Sequence, residues 1–80
     1  MYFVYILKSQ KDKKRYVGQT DNIDRRLRQH NLGNVCSTKY RLPFDLIYHE
    51  EFKTRAEAVE REKFFKSHKG YNFLKKIGIN

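Results

Sequence analysis

Apolar and aromatic residues fall into three short runs, separated by polar and charged segments. Residues 2–7 and 44–52 are rich in β-branched and aromatic side chains, which is typical of strands, and residues 15–19 have the same character. The charged segment 8–14 has the length of a hairpin connection. We therefore expect the first two strands to pair antiparallel.

The first helix is predicted from its cap. Asp21 or Asn22 can accept a hydrogen bond from the first backbone N–H groups of a helix over residues 23–30. Residues 31–43, which follow, contain Gly, Asn, Ser and Thr without hydrophobic periodicity, so they are predicted to form an exposed, irregular loop.

A second, longer helix is predicted after the third strand. Thr54 and Glu57 have the spacing of a capping box, which predicts a helix from residue 55 to about residue 68. Gly70 is the expected end of this helix. Residues 71–77 are compatible with a short final helix.

These elements predict an α/β (α+β) fold with the order β-β-α-β-α and an optional short C-terminal helix. The compact arrangement is a small three-stranded antiparallel sheet flanked by helices. We expect a single domain over residues 1–80, because a chain of this length has room for one small hydrophobic core.

The net charge of the chain indicates the kind of partner it binds. Eighteen Lys and Arg against nine Asp and Glu give a net charge of +9, which favours a polyanionic partner, nucleic acid ahead of an acidic membrane surface. A basic protein whose charge only aids solubility is the alternative.

Cys36 is the single cysteine, and the apolar run at residues 2–7 is too short for a signal peptide or a membrane span. We therefore expect a cytoplasmic protein.

On the first helix, angles of roughly 100° per residue place three residues on one inward stripe: Ile23, Leu27 and His30. Arg26 lies at the edge of this stripe, one turn before the histidine. Arg25 and Arg28 face solvent. We therefore expect Arg26 to be held beside the core, while the other two arginines contact a phosphate backbone or water.

The same projection separates the carboxylates of the second helix. Glu62 falls within the arc of Ala58 and Phe65, whereas Glu57 and Glu60 face away from it. An ionised carboxylate on an apolar face is costly unless it is paired, hydrogen-bonded or bound to a cation. An ion pair with Arg26 or a neighbouring lysine would suffice without a metal, and a bound metal ion is the other possibility.

Two tyrosines extend this group of polar residues. Tyr5 lies on one face of the first strand, and Tyr16 and Gly18 share one face of the second. If the two faces coincide, both hydroxyls would lie near Arg26, His30 and Glu62, and Gly18 would leave room for a close approach. Ordinary core packing of both rings is the alternative.

With these residues in place, the sequence resembles the GIY-YIG nuclease superfamily. Phe3-Val4-Tyr5 and Tyr16-Val17-Gly18 are similar to the two halves of its signature, with the tyrosines eleven positions apart and Gly18 as the signature glycine. Residues 19–31 resemble the turn and helix that carry arginine and histidine in that family. Residues 58–62 resemble its helix with the metal-binding glutamate. The likeness is to small stand-alone bacterial members and to the nuclease part of the excision-repair incision subunit.

The resemblance implies a mechanism and a catalytic set. Tyr5 would be the base that activates water, Tyr16 the second signature tyrosine, Arg26 the stabiliser of phosphate charge and His30 an assisting group. Glu62 would bind Mg²⁺ or Mn²⁺. The implied function is a metal-dependent endonuclease that hydrolyses phosphodiester bonds in DNA, in repair or recombination, with RNA left open as a substrate.

Basic residues outside this set are expected to contact the phosphate backbone and to give salt-dependent affinity. The expected contacts are Lys14, Arg15, Arg25, Arg28, Lys39, Arg41 and Lys66. Two alternatives use the same charge. One is a nucleic-acid-binding module that does not cut, and the other is a nuclease subunit that needs a protein partner for targeting.

Overall fold

A computed structural model describes residues 1–79 of the protein. This structure confirms the predicted fold class. Its elements are β1 (Tyr2–Ser9), β2 (Arg15–Thr20), α1 (Ile23–Asn31), β3 (Phe44–Phe52), α2 (Arg55–Phe65) and α3 (His68–Lys76). The three strands form one antiparallel sheet in the order β2-β1-β3. None of the helices in the described part of the chain is long and apolar enough to cross a membrane.

β1 is the central strand because its side chains are apolar on both faces of the sheet. Val4, Tyr5, Ile6 and Leu7 are consecutive and all buried. Such a continuous apolar run is stable only when both faces are covered, which places the strand between two layers of helix. The sheet therefore has one hydrophobic core on each face.

The two cores are built from alternate residues of β1. On one face, α1 covers a cluster of Tyr5, Leu7, Phe44, Ile23 and Leu27. On the other face, α2 and α3 cover a cluster of Val4, Ile6, Ala58, Phe65 and Leu74. The period of two along the strand thus assigns each side chain of β1 to one helical layer.

Both predicted caps are present. The side chain of Asn22 accepts a hydrogen bond from the backbone N–H of Arg25 at the start of α1. At the start of α2, Thr54 accepts from the N–H of Glu57, and the Glu57 carboxylate accepts from the N–H of Thr54. These bonds fix where each helix begins and hence which of its residues face the sheet.

The predicted end of the second helix is wrong. α2 ends at Phe65, and Ser67 caps a separate helix, α3, by accepting a hydrogen bond from the N–H of Gly70. Gly70 lies inside α3 and ends no helix. A Cβ atom at that position would lie 2.0 Å from the carbonyl oxygen of Phe64, so glycine is required by the close approach of α3 to the end of α2. The expected final helix exists and begins at His68, earlier than predicted.

The pairing of β1 with β2 settles which side chains share a face. Tyr5 lies opposite Gly18, and Leu7 lies opposite Tyr16. Directly opposed residues of an antiparallel pair project to the same side of the sheet. The faces of the two tyrosines therefore coincide, on the side covered by α1.

Candidate active site

Tyr5 is the centre of the candidate site. Its side chain is only 2% exposed, and its hydroxyl oxygen lies 3.0 Å from Nε2 of His30. Gly18 on the neighbouring strand leaves the space that the phenol fills, because a Cβ atom there would lie 2.4 Å from the hydroxyl oxygen. The glycine of the second motif is thus required by the tyrosine of the first.

His30 is enclosed on several sides by aromatic rings. The ring centroids of Tyr16 and Phe44 lie 5.0 and 6.0 Å from that of the imidazole, in edge-to-face arrangements. His30 itself is fully buried, as expected for the inward stripe of α1. Its Nδ1 atom lies 2.8 Å from the hydroxyl oxygen of Thr38, which is also buried.

The hydrogen-bond network assigns the tautomer of His30. The hydroxyl of Thr38 donates to the carbonyl oxygen of Val35 at 3.4 Å, so its oxygen accepts from Nδ1–H of the imidazole. Nε2 then carries the lone pair and accepts from the phenol of Tyr5. Thr38 therefore directs the basic nitrogen of His30 toward the candidate catalytic tyrosine.

Burial keeps both members of this pair neutral. Burial, with a smaller contribution from the positive charge of Arg26, lowers the pKa of His30 from 6.5 to about 4. Burial likewise raises the pKa of Tyr5 above 10, against the opposing effect of the Arg26 guanidinium beside it, while Tyr16 and Glu62 raise it further. At neutral pH the site thus contains an uncharged imidazole and a protonated phenol.

Glu62 reaches the site from the opposite layer. α2 packs against β1 and β2, and the negative charge of Glu62 lies close enough to raise the pKa of Tyr5. The side chain of Glu62 is 20% exposed, compared with 78% for Glu60. The helical projection therefore distinguished the inward carboxylate from the outward one.

The expected ion pair of Glu62 forms with a lysine of its own helix end. Nζ of Lys66 lies 2.7 Å from the Glu62 carboxylate, one helical turn further on. Among the described residues Arg26 forms no ion pair with Glu62, and its guanidinium donates to the side chain of Gln29 at 3.2 Å. Arg26 lies at the half-buried edge of α1, as predicted, and its charge acts on both Tyr5 and His30.

The donor set fits a metal ion that is held mainly by its substrate. Within residues 1–79, no group of three or more His, Cys, Asp or Glu side chains is arranged to hold a metal. Glu62 is the carboxylate that acts on Tyr5. Mg²⁺ commonly binds through one or two carboxylates and completes its octahedron with water and phosphate oxygens. A single glutamate on a protein with a net charge of +9 fits that pattern.

Five of the seven predicted phosphate contacts are exposed, Arg15 and Arg41 are half-buried, and several have partners within the chain. Arg25 pairs with Asp21, and Arg41 pairs with Asp12 at 2.7 Å and holds the pKa of that carboxyl at about 2. Lys66 pairs with Glu62, as described above. The guanidinium of Arg15 lies 4.4 Å from the ring centre of Tyr71, and the ammonium of Lys39 lies 5.0 Å from that of Tyr40. Lys14 and Arg28 are exposed.

One feature of the site was not predicted from the sequence. Thr38 lies in the irregular loop, where no periodicity indicates which side chain turns inward. The pairing of Glu62 with a neighbouring lysine was expected, and the spacing of four residues on a helix identifies that lysine as Lys66. The predicted catalytic roles of Tyr5, Tyr16 and the other residues stay predictions, whereas their placement is a structural observation.

We predict that His30 makes the stability of the fold depend on pH. Between pH 6.5 and about 4 the unfolded chain binds a proton that the folded chain excludes, so stability falls as the pH falls through this window. The free energy of unfolding should be about 2 kcal/mol lower at pH 5 than at pH 8. Urea unfolding across this range measures it. His68→Gln, a change of an exposed histidine, should keep the slope, and His30→Gln should remove it; an unchanged slope in His30→Gln would contradict the assignment.

We predict that Thr38→Val changes the imidazole of His30 from the Nδ1–H tautomer to the Nε2–H tautomer. The imidazole then loses the acceptor for Nδ1–H, and a buried donor without a partner costs about 1–3 kcal/mol. The ¹⁵N chemical shifts of the His30 ring should move toward the Nε2–H tautomer in Thr38→Val and stay as in the wild type in Thr38→Ser. A folded Thr38→Val protein with unchanged ring shifts would show that the hydroxyl does not set the tautomer.

Comparison with known proteins relates this site to a family. The family model for the GIY-YIG catalytic domain matches residues 1–75. The UPF0213 protein CPE1444 of Clostridium perfringens is 44% identical over 69 residues, covering 82% of this chain and 71% of that protein. The UPF0213 protein SH2523 of Staphylococcus haemolyticus is 39% identical over 77 residues, covering 95% and 93%.

A solved structure agrees with these relatives. The solution NMR structure of the UPF0213 protein BH0048 of Bacillus halodurans superposes with a TM-score of 0.58 at 32% sequence identity, covering 98% of this chain and 86% of that one. The family match runs from β1 into α3, so it includes every residue of the site from Tyr5 to Glu62. The chain therefore belongs to the GIY-YIG nuclease superfamily, together with these small UPF0213 proteins.

Proposed function

We propose that this protein is a metal-dependent endonuclease that hydrolyses phosphodiester bonds in DNA, in repair or recombination. Membership of the GIY-YIG superfamily supports nuclease chemistry, and the net charge of +9 supports a polyanionic substrate. The observation that carries the proposal is the convergence of three groups on one buried phenol. His30 hydrogen-bonds Tyr5, and the charges of Arg26 and Glu62 act on it.

Glu62 is the residue proposed to hold Mg²⁺ or Mn²⁺, with phosphate oxygens and water as the other ligands. When bound, the metal supplies positive charge that polarises the scissile phosphate and lowers the pKa of a coordinated water. Arg26 is proposed to bind a non-bridging phosphate oxygen. Its guanidinium stays charged at all relevant pH values and donates in a fork that matches phosphate geometry.

Tyr5 and His30 are proposed to carry the proton that leaves the attacking water. The phenol donates to Nε2 of His30, so its oxygen keeps lone pairs that can accept from water. In the free site, transfer of the phenolic proton to His30 is unfavourable, because burial lowers the pKa of the imidazole to about 4 and raises the pKa of the phenol. Positive charge beside Tyr5 stabilises its phenolate, and Arg26 is the group of this chain whose charge lowers the pKa of Tyr5.

We predict that Glu62→Gln lowers cleavage at least about a hundredfold, because the site loses the charge that holds the cation. The assay is cleavage of labelled duplex, flap, fork, four-way junction, single-stranded DNA and RNA, with Mg²⁺, with Mn²⁺ and with EDTA. Glu60→Gln is the matched control, since Glu60 is an exposed carboxylate on the same helix. It should cut like the wild type.

Each other outcome of this assay has a definite meaning. Cutting that survives in Glu62→Gln would show that the site assignment is wrong. If no substrate is cut while wild type and Glu62→Gln bind DNA equally, the proposed activity fails, and a non-cleaving binding module or a partner-dependent subunit takes its place.

We also predict that Lys66 competes with the metal for Glu62. Its ammonium lies 2.7 Å from the carboxylate, so a cation must displace it. Exposed pairs of this kind are weak, and removal of the nearby positive charge should tighten Mn²⁺ binding by about two- to tenfold in Lys66→Met. Mn²⁺ titration followed by electron paramagnetic resonance measures the Kd directly. Lys63→Met, which removes an exposed lysine paired with Glu60, should leave it unchanged; equal Kd values in all three proteins would contradict the competition.

A further inference from the structure

We propose that a pocket next to Arg26 binds a second phosphate group of the substrate strand, adjacent to the phosphate that is cut. The cavity has a volume of about 380 Å³ and lies where β2 ends and α1 and α2 begin. Its main lining residues are Gln19, Asp21, Arg25, Arg26, Gln29 and Arg55. This subsite rests on the proposed function, because it supposes a nucleic-acid strand at Tyr5.

The pocket carries an excess of positive charge. Three guanidinium groups line it, and Asp21 is the carboxylate among its lining residues. Asp21 pairs with Arg25, but both side chains are more than half exposed, and such an exposed pair contributes at most about 1 kcal/mol. A phosphate can therefore take the place of Asp21 at Arg25 at little cost. Arginine forks bind phosphate oxygens in pairs, which favours this anion over a simple halide.

Arg55 brings the third guanidinium from a different layer. It is the first residue of α2, and its guanidinium carbon lies 5.0 Å from the ring centre of Tyr2 on β1. Stacking on an aromatic face restricts the arginine without consuming its hydrogen-bond donors. The pocket thus forms only where α1 and α2 both approach the end of β2.

Arg26 joins this pocket to the candidate active site. It lines the pocket, and its charge also acts on Tyr5 and His30. A strand whose scissile phosphate lies at Tyr5 would therefore place a neighbouring phosphate toward Arg25 and Arg55. The class of ligand is a phosphodiester of the backbone, so the pocket positions the strand without reading its bases.

Gln19 lines the pocket with an amide of which one atom has no hydrogen-bond partner among the described residues. Its Oε1 atom is buried and accepts no hydrogen bond from any of the described residues. A buried acceptor without a donor is unfavourable, and the network does not fix the orientation of this amide. A phosphate oxygen is itself an acceptor, so the affinity of the pocket for an anion comes from its three guanidinium groups.

The test is binding of a labelled oligonucleotide in EDTA, where no cleavage occurs. Arg55→Gln should weaken binding about tenfold and reduce the slope of log K against log salt by about 0.7–0.9, the value for one lost phosphate contact. Lys53→Gln is the charge-matched control, because Lys53 is exposed, two residues away and outside the pocket. Arg55→Lys should fall between the two, since it keeps the charge and loses the fork.

Oligonucleotides with one neutral methylphosphonate linkage locate the contact. At a single linkage next to the scissile bond, the neutral group should weaken wild-type binding as much as Arg55→Gln does, and the two changes together should cost no more than either alone. Equal losses in Arg55→Gln and Lys53→Gln, or additive losses at every linkage, would overturn the subsite. Inorganic phosphate that competes as well as the oligonucleotide, at equal phosphate concentration, would show a free-anion site instead.

Failure of the subsite can be distinguished from failure of the proposed endonuclease activity. If Arg55 is coupled to one linkage but no substrate is cleaved, the subsite is supported and the proposed hydrolysis is contradicted. If cleavage depends on Glu62 but Arg55 is coupled to no linkage, the proposed hydrolysis is supported and the subsite is contradicted.

Discussion

The hydrogen bond between Tyr5 and His30 determines the layout of this small protein. It joins the central strand to α1 inside the core, and through Thr38 it also fixes the loop that follows α1. Buried polar groups must find partners, so the phenol, the imidazole and the threonine hydroxyl constrain one another. Gly18 completes the arrangement by leaving the volume that the phenol occupies. The site is consequently part of the core.

The same burial sets the resting state of the site. It lowers the pKa of His30 and raises that of Tyr5, so the pair holds its proton on the phenol. Of the charged members, Glu62 pairs with Lys66, whereas Arg26 donates to the neutral amide of Gln29. Without a ligand, the site is thus uncharged at its centre and positively charged at Arg26. An anionic ligand would complement that charge.

Much of this arrangement follows from periodicity, and the remainder does not. Helical spacing distinguishes Glu62 from Glu60, and alternation along β1 and β2 brings Tyr5 to the face of Tyr16. The predicted end at Gly70 is wrong because this glycine is required by its contact with the end of α2, which no local pattern contains, whereas the cap at Ser67 is a local signal for the start of α3. Loop residues have no repeat, so Thr38 becomes visible only once the chain has folded around it.

The two hydrophobic cores have a consequence for the folding of the chain. Tyr5 belongs to the layer under α1, whereas Glu62 comes from the layer of α2 and α3. A folding intermediate with only the α1 layer packed would lack Glu62, and one with only the α2 and α3 layer packed would lack Arg26 and His30. The complete site therefore forms only when both layers have packed on the sheet.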